Sequence, residues 1–371
     1  MSRPLVAVVA LSLTAAGLGM PAASAAPATP SSCSAVSTNW TARTTPHAAP
    51  EQLLNAYSNT GKGWTGADST YSVALPGGRT AWIFSDTFLG PVNPDGSRPT
   101  TAPFINNSFV IQQGESLKTV TGGTSTNPTA LIPPPSDGWY WVGAAQTSHA
   151  GRDLDVVALR FVKTGTGQWD WHWASNYLAR FDSKTLKLES LTPLPSAANV
   201  QWSAWLLRDR GYTYIYGVED LGASKYQHVA RVRGDDLTAK PWEYWTGSGW
   251  SSDESASARV LEGVANEHSV TSFKDGYLLV THDTKELFSK RVVGYFSCSP
   301  TGPWVKPVEL YQTPETGGNI ITYNSHEHPD LRRGNELLVS YNVNSLVSDD
   351  LYGDVSIYRP RFLAVTLVAA K

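Results

Sequence analysis

The sequence predicts an all-β fold, a five-bladed β-propeller whose ring is closed by an N-terminal strand, and three observations carry that expectation. Trp (14), Tyr (16), Gly (31) and Pro (24) are abundant, while charged residues make up only 16% of the 371. Aromatic residues favour pleated strands and Gly and Pro punctuate turns, whereas helices draw on periodic runs of Ala, Leu, Glu and Lys. Turn signals at Pro76-Gly77-Gly78, Asp95-Gly96, Asp137-Gly138, Lys274-Asp275-Gly276 and Arg333-Gly334-Asn335 separate short alternating apolar stretches. Hairpin-like units recur about every 60 residues, as expected for four-stranded blades.

Taken in order, Arg3, the apolar run Leu5 to Leu18 and the small residues Ala23-Ser24-Ala25 read as a signal peptide over residues 1–25. The run is shorter than the ~20 residues that span a bilayer, so secretion rather than membrane insertion is expected. A leader rich in Pro, Ala, Ser and Thr covers 26–37, and a single propeller domain covers 38–371. Pro50 to Tyr57 is the one helical candidate. Hairpin units then run Gly66 to Ser85, Trp139 to Phe161, Trp202 to Val218, Glu267 to Thr281 and His326 to Asn342, each followed by further strands. The fifth lacks an outer strand, and the alternating segment Val36 to Thr44 is placed to supply it, since an unclosed ring would leave strand edges exposed. Cys33 and Cys298 are the only cysteines; in an oxidising compartment they are expected to pair and lock the ring. A two-sheet jelly roll would bury similar strands but rarely shows five matching hairpins.

The net charge of -3 argues against a partner held by bulk charge, nucleic acid included. The chain has no phosphate loop, no G-x-S-x-G elbow and no dinucleotide fingerprint. In a propeller the first strand of each blade lines a central channel, so polar residues at its start converge on one mouth. The best acid pair there is Asp68, in Thr65-Gly66-Ala67-Asp68, and Asp86, in Phe84-Ser85-Asp86-Thr87. The turn at Pro76-Gly77-Gly78 brings both to the same end of one hairpin. Paired carboxyls of unequal pKa beside aromatic rings are what glycosidic cleavage needs: one protonates the leaving oxygen, the other attacks or activates water. Asn107, Trp141, Trp202, Glu219, Glu267, His268, His326 and Asn342 are the candidate substrate contacts. His268, His326 and His328 could alternatively ligate a metal, but substrate contact or packing is favoured and no metal site is assigned. Trp169, Trp171 and Trp173 alternate, as do many residues that pack between blades. Asn39-Trp40-Thr41 and Asn106-Asn107-Ser108 fit the N-glycosylation pattern.

The stretches GADSTYSV, WIFSDTFLG, FINNSFV, VVGYFSCSPTGPW and HEHPDLRRGNELLVSYNVNS resemble secreted actinobacterial propeller proteins of the domain-of-unknown-function 4185 and 5005 type. The former is glycoside hydrolase family 183, whose characterised members cleave D-arabinan internally. The resemblance runs roughly from Gly63 to Leu363. It implies a five-bladed propeller with two acids at the mouth of the first blade, matching Asp68 and Asp86, and an arabinan-type polysaccharide as partner. Ser85 departs from a position that is often Gly, and the run from Phe104 to Ser108 also departs, which puts the substrate more in doubt than the reaction. A family-43-like arrangement would instead use three acids, with Asp68 as base and Glu219 or Glu267 as acid. A non-catalytic, lectin-like propeller is the reading from another class. No cofactor is expected, with a structural divalent cation in the central channel as the one allowance, and the protein is expected to be a monomer.

Overall fold

The computed structural model describes residues 32–167 and 170–370; the expected signal peptide over 1–25 and Trp169 lie outside them. Among the described residues, five antiparallel sheets of four or more strands follow one another along the chain. Sheet one comprises Tyr71–Leu75, Arg79–Phe84, Ser108–Gln113 and Ser116–Val120. Sheet two comprises Gly138–Ser148, Asp153–Lys163, Trp171–Asp182 and Leu188–Pro193. Sheet three is built on Gln201–Asp209, Tyr212–Asp220 and Lys225–Arg233, and sheet four on His268–Phe273, Gly276–His282, Arg291–Ser297 and Val305–Gln312. Ile320–Glu327, Glu336–Ser345 and Arg361–Ala369 form sheet five, and Trp40–Pro46 completes it from the N-terminal side. Five sheets exclude the two-sheet jelly roll.

The first strands of successive sheets touch in chain order, from sheet one through sheet five. Sheet five then returns to sheet one: Ser72 Oγ and His328 Nδ1 are 2.8 Å apart, and Asp330 accepts from the Ala74 amide at 3.1 Å. Close approach demands small residues here. A Cβ on Gly143 would stand 2.5 Å from Ser203, so glycine is what lets sheets two and three meet. Burial is extensive: Trp64, Trp82 and Trp202 are fully enclosed between sheets, where a large apolar side chain contributes roughly 1.5–3 kcal/mol.

The closing strand pairs antiparallel with the last one, from Trp40 opposite Ala369 to Pro46 opposite Leu363. It starts later than the expected Val36, because Ser34–Ser37 turns into a one-turn helix held by Asp275, which accepts from the Ser34 and Ala35 amides. Cys33 just before it is bonded to Cys298, which follows the third strand of sheet four. The predicted helix spans Ala49–Ser58, with Pro50 in its first turn. Its Glu51 is buried and accepts from the Phe362 amide at 2.9 Å, tying the helix to sheet five.

Sheet five also corrects the sequence frame. Its first strand begins at Ile320, so His326 and Glu327 lie at its end and not at its start. The register slips between Tyr323 and His326, where Asn324 has φ 54°. Such a bulge breaks the period of two on which the expectation rested.

Replacing Cys33 and Cys298 together by Ser is expected to lower unfolding stability by about 2–4 kcal/mol. The check is a urea unfolding midpoint, and an unchanged midpoint would show that strand pairing closes the chain unaided.

Candidate active site

Asp68 and Asp86 sit where the small sheet of Trp64–Ala67, Thr87–Leu89 and Phe104–Ile105 passes into the first hairpin of sheet one. Leu75 pairs with Arg79 beside the turn and Tyr71 with Ile83. Further along, the Asp68 amide donates to the Asp86 carbonyl at 3.3 Å and the Ser85 amide to the Asp68 carbonyl at 3.1 Å. The two acids are therefore neighbours across the ladder. Between Asp68 and the sheet, Ser69 and Thr70 both have left-handed backbones, with φ 72° and 64°. For a β-branched residue this conformation is strained, at a cost of about 1–3 kcal/mol.

That bend is held by other sheets. Asn342 Nδ2 donates to Thr70 Oγ1 at 3.0 Å, and His326 Nε2 lies 3.2 Å from the Thr70 carbonyl, so it carries the proton. Ser69 Oγ lies 2.7 Å from both Ser85 Oγ and Glu267 Oε1. His326 is stacked on Tyr71 at 4.5 Å and its Nδ1 is 3.8 Å from Glu267 Oε2. Burial depresses the His326 pKa to about 4, so a neutral imidazole faces the Glu267 carboxyl.

The acids differ in their surroundings. Tyr323 donates to Asp68 Oδ2 at 3.0 Å, and Oδ1 is closed from solvent. Burial raises Asp68 to about 6, against the opposing pull of hydrogen bonds from Tyr323 and Tyr358. Asp86 Oδ1 accepts from Trp141 Nε1 at 2.7 Å and Asn106 Nδ2 at 2.9 Å. Burial, then the charge of Asp68, raises Asp86 to about 7. Burial also pushes Glu267 well above the carboxylate range, with the charge of Asp68 adding to it. Its Oε2 is closed from solvent and unpartnered. Three carboxyls thus meet where a single negative charge is easier to hold than three. Gly66 matters to this arrangement: a Cβ there would collide with the Tyr358 carbonyl.

Of the sequence-predicted contacts, the structure brings Trp141, Glu267, His326 and Asn342 to the acid pair and places others elsewhere. Asn107 is buried and spans from the Ile132 amide to the Tyr140 carbonyl, pinning a loop to sheet two. Trp202 is enclosed by Trp242 and Tyr244 and donates to Glu254, so it packs sheet three. Glu219 is gripped by Arg259, whose hydrogen bonds hold its pKa down, which removes it as a proton donor. His268 is buried between Gln227 and the Ala265 carbonyl, and burial lowers it to about 4. His328 likewise contacts Ser72 and Ser340 through its two nitrogens; its ring lies 5.2 Å from that of His326, while His268 is held apart by its own partners. Asn106, read as a glycosylation acceptor, serves Asp86 instead. Tyr323 and Tyr358 were missed, because their contacts to Asp68 arise only from tertiary folding.

A family model described as "Domain of unknown function (DUF5005)" matches residues 51–367. The chain belongs to the DUF5005 family. The DUF5005 chain matches no curated protein. Among solved structures it is similar to a Bacteroides ovatus protein carrying a provisional hydrolase label, at 21% identity and TM-score 0.73, covering 92% of this chain and 97% of that one. It is also similar to the catalytic domain of a Coprinopsis cinerea GH62 α-L-arabinofuranosidase, at 12% identity and TM-score 0.50, over 90% and 99% of the two chains. At these identities the likeness is one of fold alone.

Both aspartates have folded-state pKa values of about 6 and 7, above the ~3.9 of an unfolded chain. The folded state therefore binds more protons between about pH 4 and pH 7, and stability falls as pH rises through that window. Asp86→Asn is expected to melt higher than the wild type at about pH 8 and to lose the difference near pH 4. Equal melting temperatures at both values would contradict the burial of Asp86.

Proposed function

We propose that this protein is a secreted glycoside hydrolase on a five-bladed propeller, cleaving furanosidic linkages in a polysaccharide of the arabinan type. The observation that carries the reading is the buried pair of unequal acids, Asp68 and Asp86, on neighbouring strands beside an indole. Contacts between first strands running from sheet one to sheet five and back support a ring of five blades. The disulfide fits an oxidising compartment after removal of a signal peptide over residues 1–25. The GH62 neighbour, an arabinofuranosidase, and the family resemblance support the furanose class.

In this mechanism Asp86 is the acid. Its raised pKa keeps a proton near neutrality, and Trp141 and Asn106 fix one oxygen, leaving the other as the one assigned to protonate the leaving group. Asp68, more readily ionised and oriented by Tyr323, is the nucleophile or base. Glu267, the third acid, lies sealed below them. It stays protonated and steadies Ser69, which makes it a positioning residue in place of the proton donor a family-43-like scheme assigns.

Asp68→Asn and Asp86→Asn are each expected to lower kcat by about a thousandfold or more with the fold retained. New reducing ends from arabinan and arabinogalactan are the readout, and near-normal turnover in both variants would remove the assignment. The rate is expected to follow a bell, rising as Asp68 ionises near pH 6 and falling as Asp86 loses its proton near pH 7. A lectin-like protein would bind the polymers and release nothing.

A further inference from the structure

Beside Asp86, sheet two carries a group of aromatic rings that the acid chemistry does not require. Phe161 is only 4% exposed, yet among the described residues it belongs to none of the apolar clusters packed between the sheets. Three tryptophans cover it instead: Trp139 stacks at 6.1 Å, and Trp141 and Trp171 lie at 4.3 and 5.3 Å. All three tryptophans are half-buried. Trp139 and Trp141 are two residues apart on one strand and so share a face. Phe161 pairs with Trp139 on the second strand, and Trp171 begins the third. The group thus crosses three strands, a strip roughly 10 Å wide.

Rings that merely fill a core join it, whereas these form a separate half-open surface. The surface is also locked to the chemistry, since Trp141 donates its indole N–H to Asp86. Indole faces stack on the C–H faces of sugar rings while keeping a polar edge for hydrogen bonds.

We propose that Trp139, Trp141 and Trp171 form a carbohydrate-binding subsite that holds the sugar residues of a polymer chain next to the scissile bond, on the Asp86 side. The proposal rests on the glycan reading above and extends it: the protein takes a chain that continues past the cleavage point along sheet two. A disaccharide straddling the scissile bond would place only one sugar on this strip.

Isothermal titration calorimetry of the Asp68→Asn protein with an arabinofuranose hexasaccharide, and with cellohexaose as a pyranose probe, tests it without turnover. Trp171→Ala and Trp139→Ala in that background are expected to weaken hexasaccharide binding roughly 3- to 10-fold each, and Trp171→Phe to restore part of the loss. Melting curves identify any variant that fails to fold, in which case the Phe variant decides. Unchanged affinity in both folded Ala variants overturns the proposal, as does the absence of binding to either probe. If the wild type binds through the tryptophans but cleaves nothing, the subsite stands and the hydrolase reading falls.

Discussion

The left-handed bend at Ser69 and Thr70 is the constraint on which the site depends. An extended strand running straight from Ala67 into Tyr71 would carry Asp68 past its neighbour. The bend instead holds Asp68 beside Asp86, and it persists because Asn342 and His326 of sheet five and Glu267, just before sheet four, grip its side chains and carbonyl. About 1–3 kcal/mol of backbone strain per residue is offset by buried hydrogen bonds worth roughly 0.5–1.5 kcal/mol each and by the packing of the sheets around it. Closure of sheet five by Trp40–Pro46 keeps that sheet in place. A contact made by the N-terminal strand is in this way coupled to the geometry of acids in sheet one.

Electrostatics follow from the same geometry. Three carboxyls enclosed together cannot all ionise, and among the described residues no Lys or Arg pairs with them; the nearby imidazole is itself held neutral by burial. The acidic charge that bulk composition hides is therefore concentrated but largely protonated. Elsewhere the acids are handled differently: Asp155 pairs with Arg180 and Glu327 with Arg332. Burial of several carboxyls together without a basic partner marks the candidate active site, at a cost in stability that an arrangement chosen for stability alone would avoid.

Much of this was legible from residues. Alternation and Gly-rich turns marked the hairpins of sheets one to four, and the acids on either side of Pro76-Gly77-Gly78 fell at one end because a tight hairpin leaves no other choice. The bulge at Asn324 broke the alternation in sheet five, so the frame there was misread by several residues. Asn107 and His268 were assigned to substrate because a polar residue inside an apolar strand reads the same whether it meets a ligand or a backbone carbonyl. Tyr323 and Tyr358 carried no local signal, since their partner lies more than 250 positions away.

The central claim is that burial raises both aspartates above the usual carboxylate range, so that Asp86 still holds its proton where Asp68 has begun to ionise. Carbon-13 NMR titration of the side-chain carboxyls, assigned with Asp68→Asn, Asp86→Asn and Glu267→Gln, measures it directly. The account predicts that the Asp68 and Asp86 pair titrates with apparent values near 6 and 7 and that Glu267 stays protonated through that range. Ionisation of all three by about pH 5 would contradict it.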